Sequence, residues 1–245
     1  MKRKKAIGVS ILTFATMLSF VGCATVGDHR SPEEWLSLSY SGLAATDQYD
    51  FTGSMSIKTE GGLAFKPEVF EGKVVDHQQL TLQTNSQETM HWNPVKVLET
   101  LNQSNEEVQI VNDSMNAETV TLLITENENV SKEKWEQRLR QQLDQLVANM
   151  PSGEQPYRQE WMEEMARSRN QLDAMLSTMH ASTEYELVID RTKLLPLKME
   201  EKTSFQYTYN KRPFSESRYT TVRFQSFNGA LSDTVQQMHK RVTMD

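Results

Sequence analysis

Apolar and polar positions alternate from residue 49 to residue 58. Tyr49, Phe51, Met55 and Ile57 fall on one side with Gly53 among them, and Asp50, Thr52, Ser54, Ser56 and Lys58 fall on the other. A period of two predicts a strand with one buried and one wetted face. Just before it, Ser31-Pro32-Glu33-Glu34 has the spacing of a capping box with proline at the first helical position. A helix is predicted from there to about Ala45, its apolar side formed by Trp35, Leu36, Leu38, Leu43 and Ala44. After the strand, Gly61-Gly62 marks a turn, and shorter strands are expected at 70–75, 79–84 and 88–92. Asn93-Pro94 then caps a short helix running through Leu98 and Leu101, and two further strands are expected at 107–112 and 118–126.

The period changes again in the middle of the chain. Ser131 stands as a cap before Trp135, Leu139, Leu143, Leu146 and Met150, spaced by three and four. Pro151-Ser152-Gly153 and Pro156 break this run, and a second helical stripe carries Trp161, Met165, Leu172, Met175, Leu176 and Met179. Together they predict a helical hairpin inserted between strand-rich regions. The last third returns to alternation. Tyr185, Leu187 and Ile189 share a side, and Asp190-Arg191-Thr192-Lys193 reads as a turn. Leu197, Met199, Phe205, Tyr207 and Tyr209 then share one parity opposite Lys198, Glu200, Lys202, Ser204, Gln206 and Thr208. Residues 210–213 turn the chain into another long strand through Tyr219, Val222, Phe224 and Phe227, whose parity the pattern leaves open, and a short polar helix is expected from Gly229. Long successive strands with one apolar face imply an α+β fold. It has a large antiparallel sheet whose apolar face the helices must cover.

The N-terminus changes the picture of where this domain sits. Lys2 to Lys5 are all basic, and 6–21 is almost wholly apolar. Charge followed by a short apolar core is the pattern of an export signal, and the run is shorter than the roughly 20 residues a spanning helix needs. A retained anchor helix is the alternative. The chain's single cysteine, Cys23, ends this run. Phe20-Val21-Gly22-Cys23 resembles the lipobox of bacterial lipoproteins, although Phe20 departs from the leucine most often found there. The resemblance implies cleavage after residue 22, diacylglycerol on Cys23, a short tether over 23–30 and one domain over 31–245 at the extracytoplasmic face of a cell membrane, held by lipid. Cleavage would leave 223 of the 245 residues, enough for a substantial core. The leader holds four of the 26 basic residues and none of the 33 acids, so the remainder carries a net charge of −11. That disfavours nucleic acid and anionic membrane surfaces as direct partners.

The stretches YDFTGSMSIKTEGG and YELVIDRTKLLPLKMEEKTSFQYTYN, at 49–62 and 185–210, resemble the LolA-like and LppX-like bacterial lipoprotein superfamily. In that superfamily a long strand ends in an ID-x-x-T-x-L-P turn and the chain returns as a second long strand. The fold this implies is a curved, incomplete antiparallel barrel with helices covering its concave face. The ligand it implies is an acyl chain, a lipid or a lipoprotein between sheet and helices. Related folds also act as extracytoplasmic regulators, so a membrane protein is the alternative partner, met by direct contact. Five of the thirteen methionines lie in or beside the helical hairpin, and methionine suits a surface that must adapt to varied apolar ligands. An ordinary core between helix and sheet would use them equally well. If a cavity exists, its expected floor is Met55, Ile57, Met199, Phe205 and Tyr207, and its expected roof is Leu143, Leu146, Met165, Leu172, Met175 and Met179.

Candidate chemistry is sparse. No pair among His29, His77, His91, His180 and His239 has metal-ligand spacing, and no H-E-x-x-H, G-x-S-x-G, C-x-x-C or Gly-rich phosphate loop is present. Glu163-Glu164 and Glu200-Glu201 read as solvated faces, because adjacent residues point apart. His91-Trp92 ends a predicted strand, where burial of the Trp is the simpler reading. The expectation is a binding or interaction protein, without catalytic residues, metal or cofactor.

Overall fold

The structure, a computed structural model, describes residues 30–59, 65–84, 92–112, 118–148 and 155–228. The leader with Cys23, the Gly61-Gly62 turn, the strand expected at 88–92 except for Trp92, Met150, the break at 151–153 and the helix expected from Gly229 lie outside these residues.

The described chain forms α1 (Pro32–Ala44), β1 (Tyr49–Thr59), β2 (Glu68–Val75), β3 (Gln79–Thr84), α2 (Pro94–Ser104), β4 (Asn105–Asn112), β5 (Thr119–Glu126), α3 (Glu128–Ala148), α4 (Gln155–Leu176), β6 (His180–Asp190), β7 (Pro196–Tyr209) and β8 (Arg212–Gln225). The eight strands make one open antiparallel sheet in the order β3-β2-β1-β8-β7-β6-β5-β4. The fold is therefore α+β, as the periodicities imply. The chain starts near the middle of the sheet and runs out to one edge at β3. It then crosses to the opposite edge at β4 through α2 and returns strand by strand until β8 pairs with β1.

Local chemistry explains the element ends. Ser31 Oγ accepts from the Glu34 N–H at 3.2 Å and Glu34 Oε2 accepts from the Ser31 N–H at 2.9 Å, so α1 opens on a complete capping box. Asn93 Oδ1 accepts from the N–H groups of Val95 and Lys96 and starts α2. The cap of α3 differs from expectation. Asn127 Oδ1 accepts from the N–H groups of Asn129 and Val130, so the helix begins one turn earlier, and Ser131 lies fully buried inside it. At the β6–β7 turn, Asp190 Oδ1 accepts from the N–H groups of Thr192 and Lys193. β7 and β8 meet through Asn210 and Lys211 alone, both at positive φ, with Tyr209 facing Arg212. That is the two-residue hairpin geometry whose twist matches the strands, and Pro213 already belongs to β8.

The expected parities hold with one correction, in β7, and the structure supplies the parity of β8 that the pattern leaves open. In β8 the buried residues are Thr220, Val222 and Phe224, so Tyr219 faces the other side, where Lys58 Nζ lies 5.0 Å from its ring. In β7 the pairing shifts so that Ile189 faces Pro196, which makes Leu197 the extra residue of a bulge. One face of the sheet carries two apolar clusters. The larger joins α1 and α2 to the sheet through Trp35, Leu36, Leu43, Leu98 and Leu101, set against residues such as Phe51, Leu122, Leu187 and Val222. The smaller joins the hairpin α3–α4 to the sheet through Trp135, Leu176, Met179, Ala181 and Phe205. Ile189 lies in the first cluster and Ala181 in the second, so the two sit end to end along β6.

Candidate functional site

Between the two clusters the inward face of the sheet turns polar. Cross-strand pairing places Tyr185 opposite Glu201, Glu201 opposite Thr220 and Thr220 opposite Met55. In the adjacent row Thr183 faces Thr203, Thr203 faces Arg218 and Arg218 faces Ile57. All these side chains share the parity of the core. The hairpin continues the belt upward. Ser131 Oγ lies 2.5 Å from Thr183 Oγ1, which is 3.0 Å from Thr203 Oγ1. Lys134 Nζ donates to both carboxylate oxygens of Glu126, at 2.8 and 3.0 Å, and to the Tyr185 hydroxyl at 3.0 Å. The Glu126 side chain is only 1% exposed, a burial that a carboxylate tolerates when paired and hydrogen-bonded. Complete burial pushes the Tyr185 hydroxyl well above its ordinary titration range; the charges of Glu201 and Glu126 add to this and Arg138 opposes it.

Two chambers open on this belt, beneath the hairpin. The first, of about 260 Å³, is lined mainly by apolar groups, among them Met55, Ile57, Trp135, Met175, Met179 and Phe205. Tyr207, Glu216 and Arg218 also reach its wall. Burial pushes the Glu216 carboxyl above its usual range, while the Arg218 charge and a hydrogen bond from Tyr207 hold part of that rise back. Burial likewise raises the Tyr207 hydroxyl, helped by Glu216. The second chamber, of about 560 Å³, is polar, with Lys96, Lys134, Arg138, Arg218, Glu68 and Glu201 in its walls beside Trp92 and four glutamines of α3. Met55, Glu68, Gln142 and Arg218 line both chambers, so the two adjoin. Small-molecule sites usually measure roughly 300–1,000 Å³; the polar chamber lies within that range and the apolar one just below it.

Trp135 divides the two environments. Its ring meets Phe205 edge-on at 5.0 Å, and the guanidinium carbons of Arg138 and Arg218 lie 4.8 and 5.0 Å from its centre. Arg218 Nε donates to Met55 Sδ at 2.8 Å.

Of the eleven residues expected around a cavity, Met55, Ile57, Met175, Met179, Phe205 and Tyr207 line the apolar chamber together. Leu172 packs partly buried against the smaller cluster behind it. Met199 does not reach the chamber; it is buried in the larger cluster, one inward position beyond Glu201. Leu143, Leu146 and Met165 lie elsewhere along the hairpin, outside the chamber walls, and Leu146 is 52% exposed. Pairing reads differently for the carboxylates. Glu164 pairs with Arg167 and Glu200 with Lys198 at the surface, whereas Glu201 turns inward, so the solvated reading fails for it. Trp92 is buried, as expected, and also walls the polar chamber. His77 meets Asp47 at 2.6 Å and His180 lies exposed beside Glu128. Among the described residues no three His, Cys, Asp or Glu side chains gather where a metal ion would sit, and no helix is long and apolar enough to cross a membrane.

Hydrophobic periodicity does not single out Glu201, Thr203, Thr220, Lys134, Arg138 or Arg218 as inward-facing residues. The signal was present in part: Glu201 and Thr203 interrupt the parity that runs from Met199 to Phe205. No family model and no curated protein matches this chain.

Proposed function

We propose that this protein is a lipid-anchored extracytoplasmic lipoprotein that shelters a hydrophobic ligand between its helical hairpin and its sheet, without catalysis. The observation that carries this reading is the apolar chamber beneath α3 and α4, where three methionines and the aromatic rings of Trp135, Phe205 and Tyr207 converge on unfilled space. Methionine side chains on both floor and roof let such a chamber adapt to chains of different shape. Each methylene moved out of water contributes about 0.8 kcal/mol, so an acyl chain has ample driving force before the costs of association. The likeness to the LolA-like superfamily points the same way. The test is to purify the full chain, extract it with organic solvent and analyse the extract by mass spectrometry. The expected result is a stoichiometric acyl lipid beyond the one attached through Cys23; an extract without one would overturn the reading.

A second reading rests on the far part of the hairpin, where Leu146, Tyr157 and Met162 are more than half exposed. Such residues favour contact with a membrane protein. A clean solvent extract together with a reproducible crosslink from this part of the hairpin to one membrane protein would select it.

A further inference from the structure

β7 and β8 run past the rest of the sheet. Among the described residues, β6 begins at His180, opposite Gln206, and β1 ends at Thr59, opposite Glu216. The three pairs beyond are Tyr207 with Phe214, Thr208 with Pro213 and Tyr209 with Arg212. They stand as a two-stranded ribbon closed by Asn210 and Lys211. At about 3.4 Å per residue, this tip extends roughly 10 Å beyond its neighbours. A ribbon so short is marginal by itself. Its base is held where the Thr208 N–H donates to Thr178 Oγ1 at 3.0 Å. Its rings hold the rest: Phe214 stacks on Tyr207 at 5.9 Å, and Tyr209 meets Phe214 edge-on at 6.0 Å. We infer that this tip is a contact for an anionic lipid surface, with Tyr209 and Phe214 at the level of the head groups and Lys211 and Arg212 against their charges. The inference stands apart from the ligand reading above.

The tip carries more aromatic surface than the core uses. Neither Tyr209 nor Phe214 belongs to either apolar cluster, and Phe214 is 42% exposed. Exposed apolar groups bordered by polar ones mark interaction surfaces, and a tyrosine, apolar in body and polar at its end, suits the boundary between membrane and water. The charge of the tip selects the kind of surface. No acidic residue occurs between Glu201 and Glu216. Glu216 is turned into the wall of the apolar chamber, where Tyr207 and Arg218 partner it. Lys211 and Arg212 are exposed and have no ion-pair partner among the described residues. The acidic balance of the chain disfavours an anionic surface over most of the molecule. At physiological salt, however, charge is screened within about 8 Å, so the acids behind the tip act weakly at its end. The contact is therefore confined to the ribbon. Tyr207 is both its base and a wall of the apolar chamber, so the contact lies at the chamber's rim.

The test attaches a polarity-sensitive fluorophore to Thr208→Cys in the full chain carrying Cys23→Ser, so that the introduced thiol is the only one. Thr208 is exposed, and its bond to Thr178 uses the backbone N–H, which the substitution keeps. The fluorophore reports the tip alone, whatever else of the chain meets lipid. Vesicles of equal parts phosphatidylglycerol and phosphatidylcholine should shift its emission to the blue, and vesicles of phosphatidylcholine alone should shift it little. Lys211→Gln and Arg212→Gln should each raise the lipid concentration at half-shift about fivefold, and the two together about twenty-fivefold, the size of one and two cations at an anionic leaflet. Phe214→Ser should shrink the shift while keeping its dependence on phosphatidylglycerol. Equal shifts on both kinds of vesicle, unchanged in the charge variants, would overturn the inference, as would no shift on either. A blue shift that grows with protein concentration in the absence of vesicles would assign the tip to a second copy of the chain and overturn the lipid surface.

Discussion

Gly53 sits where a side chain has no room. It pairs with Phe70, and a Cβ added at Gly53 would stand 2.2 Å from Phe70 Cζ. The reciprocal arrangement places Phe51 over Gly72, where a Cβ would meet the ring at 2.0 Å. Both rings are buried and both lean on Trp92, with centroids 5.5 and 5.9 Å away, so neither can swing aside without disturbing the other. Gly53→Ala should therefore cost about 1–3 kcal/mol by overpacking, read as a lower denaturant midpoint with unchanged slope; an unaffected midpoint would mean that Phe70 yields freely. Glu216 offers a pH test. Its folded carboxyl titrates above the ordinary 4.5 because of burial, so folding favours the protonated form. Its favourable share is complete below the ordinary value and is lost as pH rises through the folded one. Glu216→Gln keeps the neutral shape. The stability of the variant relative to the parent should increase as pH rises above that ordinary value, and a pH-independent difference between their melts would refute the assignment. Such residues were only partly legible beforehand. Gly53 was visible as a gap in the alternation, but nothing in the pattern says that a ring from the next strand fills it.

The hairpin shows how much a helical stripe can and cannot reveal. A period of three to four placed Trp135, Leu139, Leu172, Met175 and Leu176 on one side, and these do pack toward the sheet. The same stripe extends to Leu143, Leu146 and Met165, beyond the chamber walls. Periodicity reports which side is apolar, and tertiary packing decides how far along the helix that side finds a partner. The α3 cap carries the same lesson. Asn127 and Ser131 are both good caps, and what separates them is Thr183, 52 residues away, which takes the Ser131 hydroxyl into the core. The hairpin is pinned to itself by two exposed cross-helix ion pairs, Arg140 with Asp173 and Arg169 with Asp144. Exposed pairs contribute little, so its seat on the sheet depends on the smaller cluster. Leu172 is only partly buried there. Leu172→Ala should therefore cost less than the roughly 2–5 kcal/mol of a fully buried leucine. Met175→Trp should fill the apolar chamber, leaving the denaturant midpoint nearly unchanged while abolishing co-purified lipid. Strong destabilisation by both substitutions, with no lipid in the parent extract, would point to a closed core and to the interaction reading.

Over the whole molecule, the strand parities other than that of β8 and the helical hairpin were legible, and the sheet order was not. Alternation tells which side of a strand is buried but not which strand lies beside it, so the pairing of β1 with β8 came only with the structure. The polar belt escaped for a related reason: Glu201, Thr203 and Arg218 form one surface only when β7 and β8 are side by side. Attachment of the molecule is a separate prediction. Cys23→Ser should abolish metabolic palmitate labelling and release the chain from membranes, since stable anchoring needs more than one acyl chain; labelling that persists would place the anchor elsewhere. The β1–β8 ladder has a kinetic consequence. Asp50 pairs with Gln225 and Thr59 with Glu216, so the seam at the centre of the sheet joins the first strand to the last. Until β8 arrives, the half-sheet β1–β3 and the half-sheet β4–β7 share no ladder, and each presents an unpaired edge to solvent. Joining them closes a loop spanning most of the domain, a slow step for a topology of such distant contacts. The period before that seam forms is when the chain is most open to pairing with a second copy of itself.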